Sequence, residues 1–304
     1  MESNTSVAGP DRVKGRLRYV DGSQGRDLRP WLVMLPIALV VVVFVYPLFV
    51  MARSSFTDFV EAGQSGLANY EWFLGTGVQR TVLQRTFLVS VAVTGMCILL
   101  GFPYAYLMTL AGPTVRILML GTVMLPFWSS IVVRIYAWVI LLQQSGPVDR
   151  ALALVGADHV RLLGNVGGVF VGSTQVLLPF FILPLYSSLT RIDRRLLDAA
   201  HSLGARPSRA FVQIYLPLAL PGVIAGALIT FILMLGFYFT PAMLGSPQNS
   251  LISQQVVEQV TRLLAFGRGG AMALTLLLLT VIVLAVAARL SRRYVRSLGF
   301  GEKG

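Results

Sequence analysis

Few side chains in this 304-residue sequence are of a type that carries out covalent chemistry. Its two histidines, His159 and His201, fall on opposite sides of the predicted membrane, and neither has a metal-binding spacing. The single cysteine, Cys97, lies within an apolar run, and no G-x-x-x-x-G-K-[ST] phosphate-binding loop occurs. We therefore expect a protein that is not an enzyme, with no catalytic residue, no metal site and no cofactor of its own.

The residues with an informative spacing favour non-covalent docking instead. Between Asp198 and Pro217 a polar, arginine-containing segment separates two apolar runs, and Gly204 stands where a helix would need a left-handed C-cap. The positions i, i+3, i+4 and i+7 of one predicted helix face are Leu196, Ala199, Ala200 and Leu203. This face is shallow because two of its four side chains are the small methyl groups of alanine. A helix that rests on lipid headgroups usually carries larger apolar side chains, so the face favours a protein partner over lipid.

The same segment predicts two short helices joined by a turn, which we call the elbow (residues 191–217). Asp193 is the predicted N-cap of the first helix. The second begins at Pro207, a residue favoured at the first helical position, and is expected to end where Pro217 and Pro221 remove backbone donors.

Composition identifies the elements that must position the elbow. Hydrophobic residues make up 55% of the chain, charged residues 12%, and the mean hydropathy is +0.73, values typical of a polytopic membrane protein. About 20 apolar residues span a bilayer. The predicted spans are 31–52, 86–111, 115–142, 167–189, 218–243 and 270–290. The predicted fold class is all-α, a membrane bundle of about six transmembrane helices.

The net charge of +12 indicates how the protein is oriented in the membrane and does not indicate nucleic-acid binding. Most Lys and Arg residues precede the first span, follow the last one or lie in the elbow, so both termini are expected in the cytoplasm. Residues 1–30 form a basic tail that is predicted to be disordered, 31–84 an anchor helix with an outer loop, and 291–304 a second cytoplasmic tail. The bilayer is thus a partner, whereas nucleic acid is not.

The elbow resembles the signature loop of the permease subunits of binding-protein-dependent ABC importers. That pattern is an acidic residue, two alanines, three residues, glycine, nine residues and then Ile-x-Leu-Pro. The matching positions are Asp198, Ala199, Ala200, Gly204, Ile214, Leu216 and Pro217. The family usually has glutamate at the first position, and Asp198 keeps the charge on a side chain shorter by one methylene.

The resemblance covers residues 85–290, the extent of the type I permease domain. Within it, Leu125–Trp138, Gly146–Leu152 and Leu178–Asp193 resemble the subfamily that serves spermidine and putrescine uptake, above all its B-type subunit. Relatives in that subfamily also carry amino-acid-like and opine compounds. The implied substrate is therefore a polyamine or a related small organic solute.

This resemblance also implies an assembly in a bacterial inner membrane. The elbow would seat in a cytoplasmic ATPase, two copies of which bind the ATP and Mg that this chain lacks a loop to hold. A second permease subunit would complete a heterodimer, and an extracytoplasmic binding protein would deliver the solute.

Polar and aromatic residues inside the spans are candidates for the solute pathway. Arg134 is costly in a membrane, so either it faces a polar pathway or subunit contact, or it snorkels to the outer headgroups. The aromatic residues could hold amines by cation–π contacts, although packing is a common alternative. The candidates are Trp128, Arg134, Tyr136, Trp138, Gln175, Phe180, Tyr238 and Glu258.

Two further function classes are weighed against the importer subunit. A self-sufficient secondary transporter or channel predicts repeat symmetry or clustered intramembrane acids, and no Asp or Glu lies well inside a predicted span. A membrane-embedded enzyme needs a reactive constellation that the two separated histidines do not supply. One packing prediction is shared by all classes: Gly222 and Gly226 form a G-x-x-x-G pair that permits close helix approach.

Overall fold

A computed structural model of the chain describes residues 30–61, 63, 66–154, 156, 161–193 and 195–297, with side chains between 34 and 289. The predicted tails, apart from Pro30 and the helical residues 291–297, lie outside these ranges, as does His159. Every regular element within the described ranges is helical, which confirms the predicted fold class. The chain divides into two compact units, 1–49 and 50–304.

The first unit contributes most of α1 (Pro30–Thr57), an uninterrupted apolar helix that contains Pro36 and Pro47. The second unit holds the last turns of α1 and all later elements. These are α2 (Ala68–Gly75), α3 (Gly77–Leu110), α4 (Pro113–Trp128), α5 (Ile131–Leu142), α6 (Pro147–Leu154), α7 (Val166–Leu189), α8 (Arg195–Ser202), α9 (Pro207–Ala210), a π turn (Phe211–Tyr215), α10 (Leu216–Leu235), α11 (Phe239–Leu244), a 3₁₀ turn (Pro247–Asn249), α12 (Ile252–Thr261) and α13 (Phe266–Ser297).

Among the described residues, six helical segments are long and apolar enough to cross a membrane, the number predicted. The third of these segments is Ile131–Leu154, and α4 is a shorter apolar helix before it. The bounds differ from the prediction most in the second, third and fifth spans. α3 begins at Gly77 and not at 86, because Gln79, Arg80 and Arg85 extend the helix beyond its apolar part. α10 ends at Leu235, and the predicted end of that span, up to 243, bends into the separate α11.

The predicted third span, 115–142, is broken in the middle. α4 ends at Trp128, Ser129 and Ser130 are extended (ψ 144° and 138°), and α5 begins at Ile131. Serine hydroxyls compete with the helical backbone for hydrogen bonds, and Ser129 Oγ donates to the Pro126 carbonyl at 3.1 Å. The sequence-based prediction of one continuous helix was therefore wrong.

The two halves nevertheless run along α7 in a single antiparallel direction. Phe127 at the end of α4 packs against Phe180, with ring centroids 5.3 Å apart. Further along, the Trp138 indole N–H donates to Gln175 Oε1 at 3.4 Å. α4 and α5 thus pack one after the other along α7, with the break between them.

The core lies where α3, α7 and α10 pack together around Phe181 and Leu185, both fully buried. A Cβ at Gly226 would lie 2.8 Å from the Phe181 carbonyl oxygen, and one at Gly222 would lie 2.5 Å from Ser188 Cβ. The predicted close approach at the G-x-x-x-G pair is confirmed. Because lipid offers no hydrophobic drive for helix association, such tight packing is a main stabilising term.

At the end of the bundle away from the elbow, which we call the far end, short helices are fastened by polar contacts. Asn69 Nδ2 donates to the Ser55 and Asp58 carbonyls, each at 2.9 Å. The Ile252 amide donates to Thr86 Oγ1 at 2.9 Å, which fixes α12 on α3. These contacts position the segment between α10 and α13.

Candidate functional site

The first limb of the elbow is α8, which is separated from the end of α7 by five residues. Asp193 Oδ1 accepts a hydrogen bond from the Arg195 amide at 2.9 Å, as expected of an N-cap. At the other end Gly204 has φ +85°, and its amide donates to the His201 carbonyl at 2.9 Å. The Ala205 amide donates to the Ala200 carbonyl at 3.0 Å, which completes a Schellman motif. The predicted left-handed C-cap is confirmed.

Glycine is required at position 204 by the backbone and not by crowding within the chain. Apart from its chain neighbours, no described residue has an atom within 4 Å of the position that a Cβ would take. A positive φ, in contrast, disfavours every residue with a Cβ.

The sequence predicted that the second limb ends at Pro217, but the structure shows that it does not. α9 begins at Pro207, as expected, but it continues through the π turn into α10 without leaving the helix. The Leu216 amide donates to the Phe211 carbonyl, five residues back. This wider turn falls just before Pro217, which has no N–H to donate, so the proline is accommodated at the change of hydrogen-bond pattern.

The predicted apolar face of α8 divides into two. Ala200 is buried against the rest of the chain, with 8% of its surface exposed, and Leu197 packs against the main core. Leu203 is 89% exposed and Leu196 47% exposed, and Ala199 between them is exposed too. The prediction that Ala200 belongs to the free face was wrong, because α8 rests on the bundle through that side. We call Leu196, Ala199 and Leu203 the exposed stripe.

The remaining signature residues lie around this stripe or along the second limb. Asp198 is exposed and next to Ala199. Ile214 and Pro217 are half-buried and Leu216 is 38% exposed. The signature therefore contains surface positions as well as positions that hold the elbow on the bundle.

An aromatic cluster that the sequence analysis missed joins the elbow to α3. The ring centroid of Tyr106 lies 5.4 Å from that of Phe211 and 5.1 Å from that of Tyr215, and Phe102 completes the cluster at 6.3 Å from Phe211. Offset aromatic contacts of this kind are worth ~0.5–1.5 kcal/mol each beyond area burial. The signal in the sequence was two aromatic pairs at i, i+4 spacing, one on each helix.

The pathway candidates are not gathered at one place. Gln175 and Trp138 meet on α7 and α5, and Phe180 packs on Phe127 nearby. Trp128, at the break, is 86% exposed, and Tyr136 is 54% exposed.

Arg134 forms its hydrogen bonds at the break in the third span. Its guanidinium donates to the Pro126 carbonyl, and Nη2 also donates to the Ser129 carbonyl at 3.1 Å and to Ser129 Oγ at 3.2 Å. These acceptors belong to the last turn of α4, where backbone carbonyls lack helical partners. Arg134 is thus a C-terminal cap, a role that neither alternative drawn from the sequence had included.

Tyr238 and Glu258 both lie at the far end of the bundle, apart from the other candidates for the solute pathway. Together with residues of α11, the 3₁₀ turn and α12 they line a cavity of about 430 Å³. Ser250 and Gln254 add a hydroxyl and an amide to its wall. Glu258 is half-exposed and lies 4.0 Å from Arg262 in an i, i+4 pair. Arg262 lines the cavity too, so its described wall contains one carboxylate with an arginine partner and the aromatic side chain of Tyr238.

Within the described ranges, no group of three or more His, Cys, Asp or Glu residues could hold a metal ion. Away from the ends of the described spans, the polar side chains are hydroxyls, amides, the Cys97 thiol and the capping Arg134. The geometry suits passage and docking of molecules by non-covalent contacts.

Comparison with known proteins bears on this arrangement. Residues 28–296 match the family model for the binding-protein-dependent transport system inner membrane component. The chain is 32% identical over 213 residues to the spermidine/putrescine transport system permease protein PotB of Escherichia coli K12, covering 69% of this chain and 78% of that protein. It is 34% identical over 205 residues to the PotB protein of Haemophilus influenzae, covering 66% and 72%.

Its fold is also similar to that of a chain in the crystal structure of a bacterial alginate ABC transporter in complex with an alginate pentasaccharide-bound periplasmic protein. The TM-score is 0.72 over 88% of this chain and 95% of the other, at 19% sequence identity. That similarity concerns the fold.

Proposed function

The chain belongs to the family of binding-protein-dependent transport system inner membrane components, and on that premise we propose how its parts divide the work of an ATP-driven importer. It is a multi-pass inner-membrane permease subunit. We propose that it is non-catalytic, that it forms half of a solute pathway and that it is driven through the elbow. The functional domain spans residues 85–290, with coupling at 191–217.

The exposed stripe is the seat for a cytoplasmic ATPase subunit. Leu203 and Leu196 give it apolar area, and Ala199 between them lets a partner backbone approach closely. A leucine side chain left exposed at a polar membrane boundary loses roughly 1.5–3 kcal/mol of burial energy, which a partner groove recovers. Asp198, beside the stripe, supplies charge complementarity. This exposed stripe is the observation that carries the proposal.

Movement of the seat passes into the membrane by two physical routes. The second limb is helical from Pro207 to Leu235, so displacement of α9 acts directly on α10. The aromatic cluster transmits the same displacement sideways to α3 through Tyr106. A π turn between α9 and α10 is a common place for a helix to adjust.

We propose a polyamine, or a related small organic cation, as the solute. The relatives named above are permeases of spermidine and putrescine, and the far-end cavity offers Glu258 and Tyr238 to an ammonium group. Trp128, Tyr136, Trp138, Gln175 and Phe180 are the proposed lining further along. Arg134 serves this pathway by holding α4 and α5 in place and not as a ligand.

The partners follow from this division. ATP and Mg belong to two ATPase subunits, a second permease completes the pathway as a heterodimer, and an extracytoplasmic binding protein delivers the solute. Both termini of this chain lie in the cytoplasm, as does the elbow.

The test is uptake by proteoliposomes that contain this chain, a second permease, the ATPase and the binding protein. We expect uptake of labelled spermidine or putrescine that requires ATP and binding protein together. Uptake by this chain alone, driven by an ion gradient, would instead support a self-sufficient secondary transporter.

A further inference from the structure

A polar cavity at the elbow end of the bundle is not used by the docking or pathway proposals. It has a volume of about 340 Å³ and lies between the turn that joins α3 to α4 and the turn that follows α7. The lining residues are Thr109, Leu110, Ala111, Arg116, Leu189, Thr190 and Ile192. We propose that this cavity binds the phosphate group of an anionic phospholipid and that Arg116 is its principal ligand.

Charge is the first argument. Among the described residues of the lining Arg116 is the one with a charged side chain, and the described ranges of the chain contain no ion pair of Arg116. A cationic cavity without a carboxylate attracts an anion. Arginine is well suited to phosphate oxygens because its planar guanidinium presents several donors in a fixed geometry.

The guanidinium is also pre-positioned. Arg116 Nη2 donates to the Ala111 carbonyl at 3.1 Å, which ties the side chain across the α3–α4 turn. Arg116 Nε is buried without a hydrogen-bond partner, so the group has donors that the described residues leave unused. The C-terminal ends of α3 and α7 also reach the cavity, and the positive end of the α4 dipole at Pro113 partly offsets theirs. The net positive charge of the cavity therefore comes from Arg116.

The surroundings select a lipid over a soluble anion. Leu110 lines the cavity and is 51% exposed, and Val115, Ile117 and Leu118, which are close to Arg116 in the sequence of α4, are 52%, 68% and 66% exposed. These side chains lie at the ends of membrane helices, where acyl chains cover apolar surface. A ligand with a phosphate at its head and hydrocarbon below it satisfies both the cavity and its flanks. Phosphatidylglycerol has this chemistry, and its negative charge favours juxtamembrane arginines by ~1 kcal/mol each.

The site has a consequence for coupling. Leu189, Thr190 and Ile192 form the turn that leads directly into α8. A headgroup in the cavity would hold this turn against Arg116 and thereby stiffen the elbow where force enters. The inference rests on the proposed function in that it takes the elbow end to be the cytoplasmic end.

The test measures binding first. We would place the purified full-length chain in nanodiscs of phosphatidylcholine with spin-labelled phosphatidylglycerol or spin-labelled phosphatidylcholine as probes. We expect an immobilised fraction for phosphatidylglycerol that falls about fivefold in Arg116→Gln, as expected for loss of a charge-assisted phosphate contact of about 1 kcal/mol. Arg116→Lys should retain most of it.

Arg191→Gln is the matched control. It removes the same charge one residue away from Thr190, yet Arg191 is exposed and does not line the cavity. Equal losses in Arg116→Gln and Arg191→Gln would overturn the proposal, since they would indicate a diffuse charge effect. If inorganic phosphate displaces the lipid probe at millimolar concentration, the site is one for a soluble anion and the lipid assignment is wrong.

A second variant tests the site independently, in case Arg116→Gln misfolds. Thr190→Trp keeps Arg116 but fills the cavity, and it should also abolish the immobilised fraction. These measurements need no transport, so a negative result leaves the import proposal intact. Stimulation of ATP-driven uptake by phosphatidylglycerol, lost in Arg116→Gln, is the expected functional counterpart in the full complex.

Discussion

The guanidinium of Arg134 donates a hydrogen bond to the backbone carbonyl of Pro126 across the break between α4 and α5. Backbone groups without partners cost several kcal/mol in hydrocarbon, so a broken membrane helix needs a substitute for its lost ladder. Arg134 supplies that substitute from one turn beyond the break. The cost of a cation in the membrane is thus offset by capping, which stabilises the broken third span.

We expect Arg134→Met to destabilise the purified protein by roughly 1–3 kcal/mol, because the carbonyls at the break in the membrane helix would lose their hydrogen-bond donor. Arg134→Lys should recover part of this loss because an ammonium can still reach one carbonyl. Thermal unfolding in detergent measures the change. Val133→Met is the control, since Val133 is the adjacent residue and is 65% exposed. An unfolding temperature of Arg134→Met equal to that of the control would contradict the capping role.

Gly204 makes a second prediction, based on its φ of +85°. Gly204→Ala should weaken the cap of α8 by ~1–2 kcal/mol, whereas Gly204→Asn should be nearly neutral because asparagine tolerates this conformation. We expect uptake and ATP hydrolysis to become uncoupled in the alanine variant only. If both variants lose coupling equally, the space that a partner needs, and not the backbone, explains the glycine.

The exposed stripe makes a third prediction. Ala199→Glu should reduce co-purification of the ATPase roughly tenfold or more, because burying an unpaired charge costs several kcal/mol. The control is His201→Glu, which is also exposed but is turned by about 200° around α8. Normal ATPase retention by Ala199→Glu would show that the partner does not use this stripe.

Close packing between α7 and α10 makes a fourth prediction. Gly226→Ala places a methyl group 2.8 Å from the Phe181 carbonyl oxygen and 2.9 Å from its ring, and should destabilise the bundle by ~1–3 kcal/mol. Gly95→Ala is the matched control on α3, where nothing lies within 4 Å of a new Cβ. That variant should be neutral or stabilising by up to ~1 kcal/mol, because alanine is the better helix former. Thermal unfolding should separate the two.

The far-end cavity makes a fifth prediction. Glu258→Gln removes its carboxylate without changing its shape, so uptake of a polyamine at low concentration should fall several-fold with little change at saturation. Glu71→Gln is the control: Glu71 is exposed on α2 at the same end and does not line the cavity. Concentration-dependent uptake in proteoliposomes checks this. Unchanged uptake at low polyamine would remove Glu258 from the pathway.

Much of the fold was predictable because membrane helices can be recognised by their apolar composition. Six apolar stretches predicted six spans, and the capping signals at Asp193, Gly204 and Pro207 gave correct helix ends. These features depend on local chemistry: desolvation of apolar runs, side-chain caps and the conformational freedom of glycine. They need no knowledge of neighbouring helices.

The sequence-based predictions were wrong where hydrogen bonds and packing contacts that periodicity does not show determine the structure. The break at Ser129 is invisible to hydropathy because both halves are apolar, and it persists because Arg134 folds back to cap it. The second limb of the elbow passes Pro217 because a π turn changes the hydrogen-bond pattern there. Ala200 turned out to be buried because α8 lies on the bundle, which a helical wheel does not include.

By itself the sequence determined the class of the protein, its number of spans, the caps of the elbow and the family that the spacing of the signature loop resembles. Each of these properties depends on the order and type of residues that are neighbours in the sequence. Only the tertiary structure decided which side of α8 is free, what Arg134 bonds and which residues link the elbow to α3. Those outcomes depend on the distances of side chains from other side chains and from the backbone, which packing sets and periodicity does not.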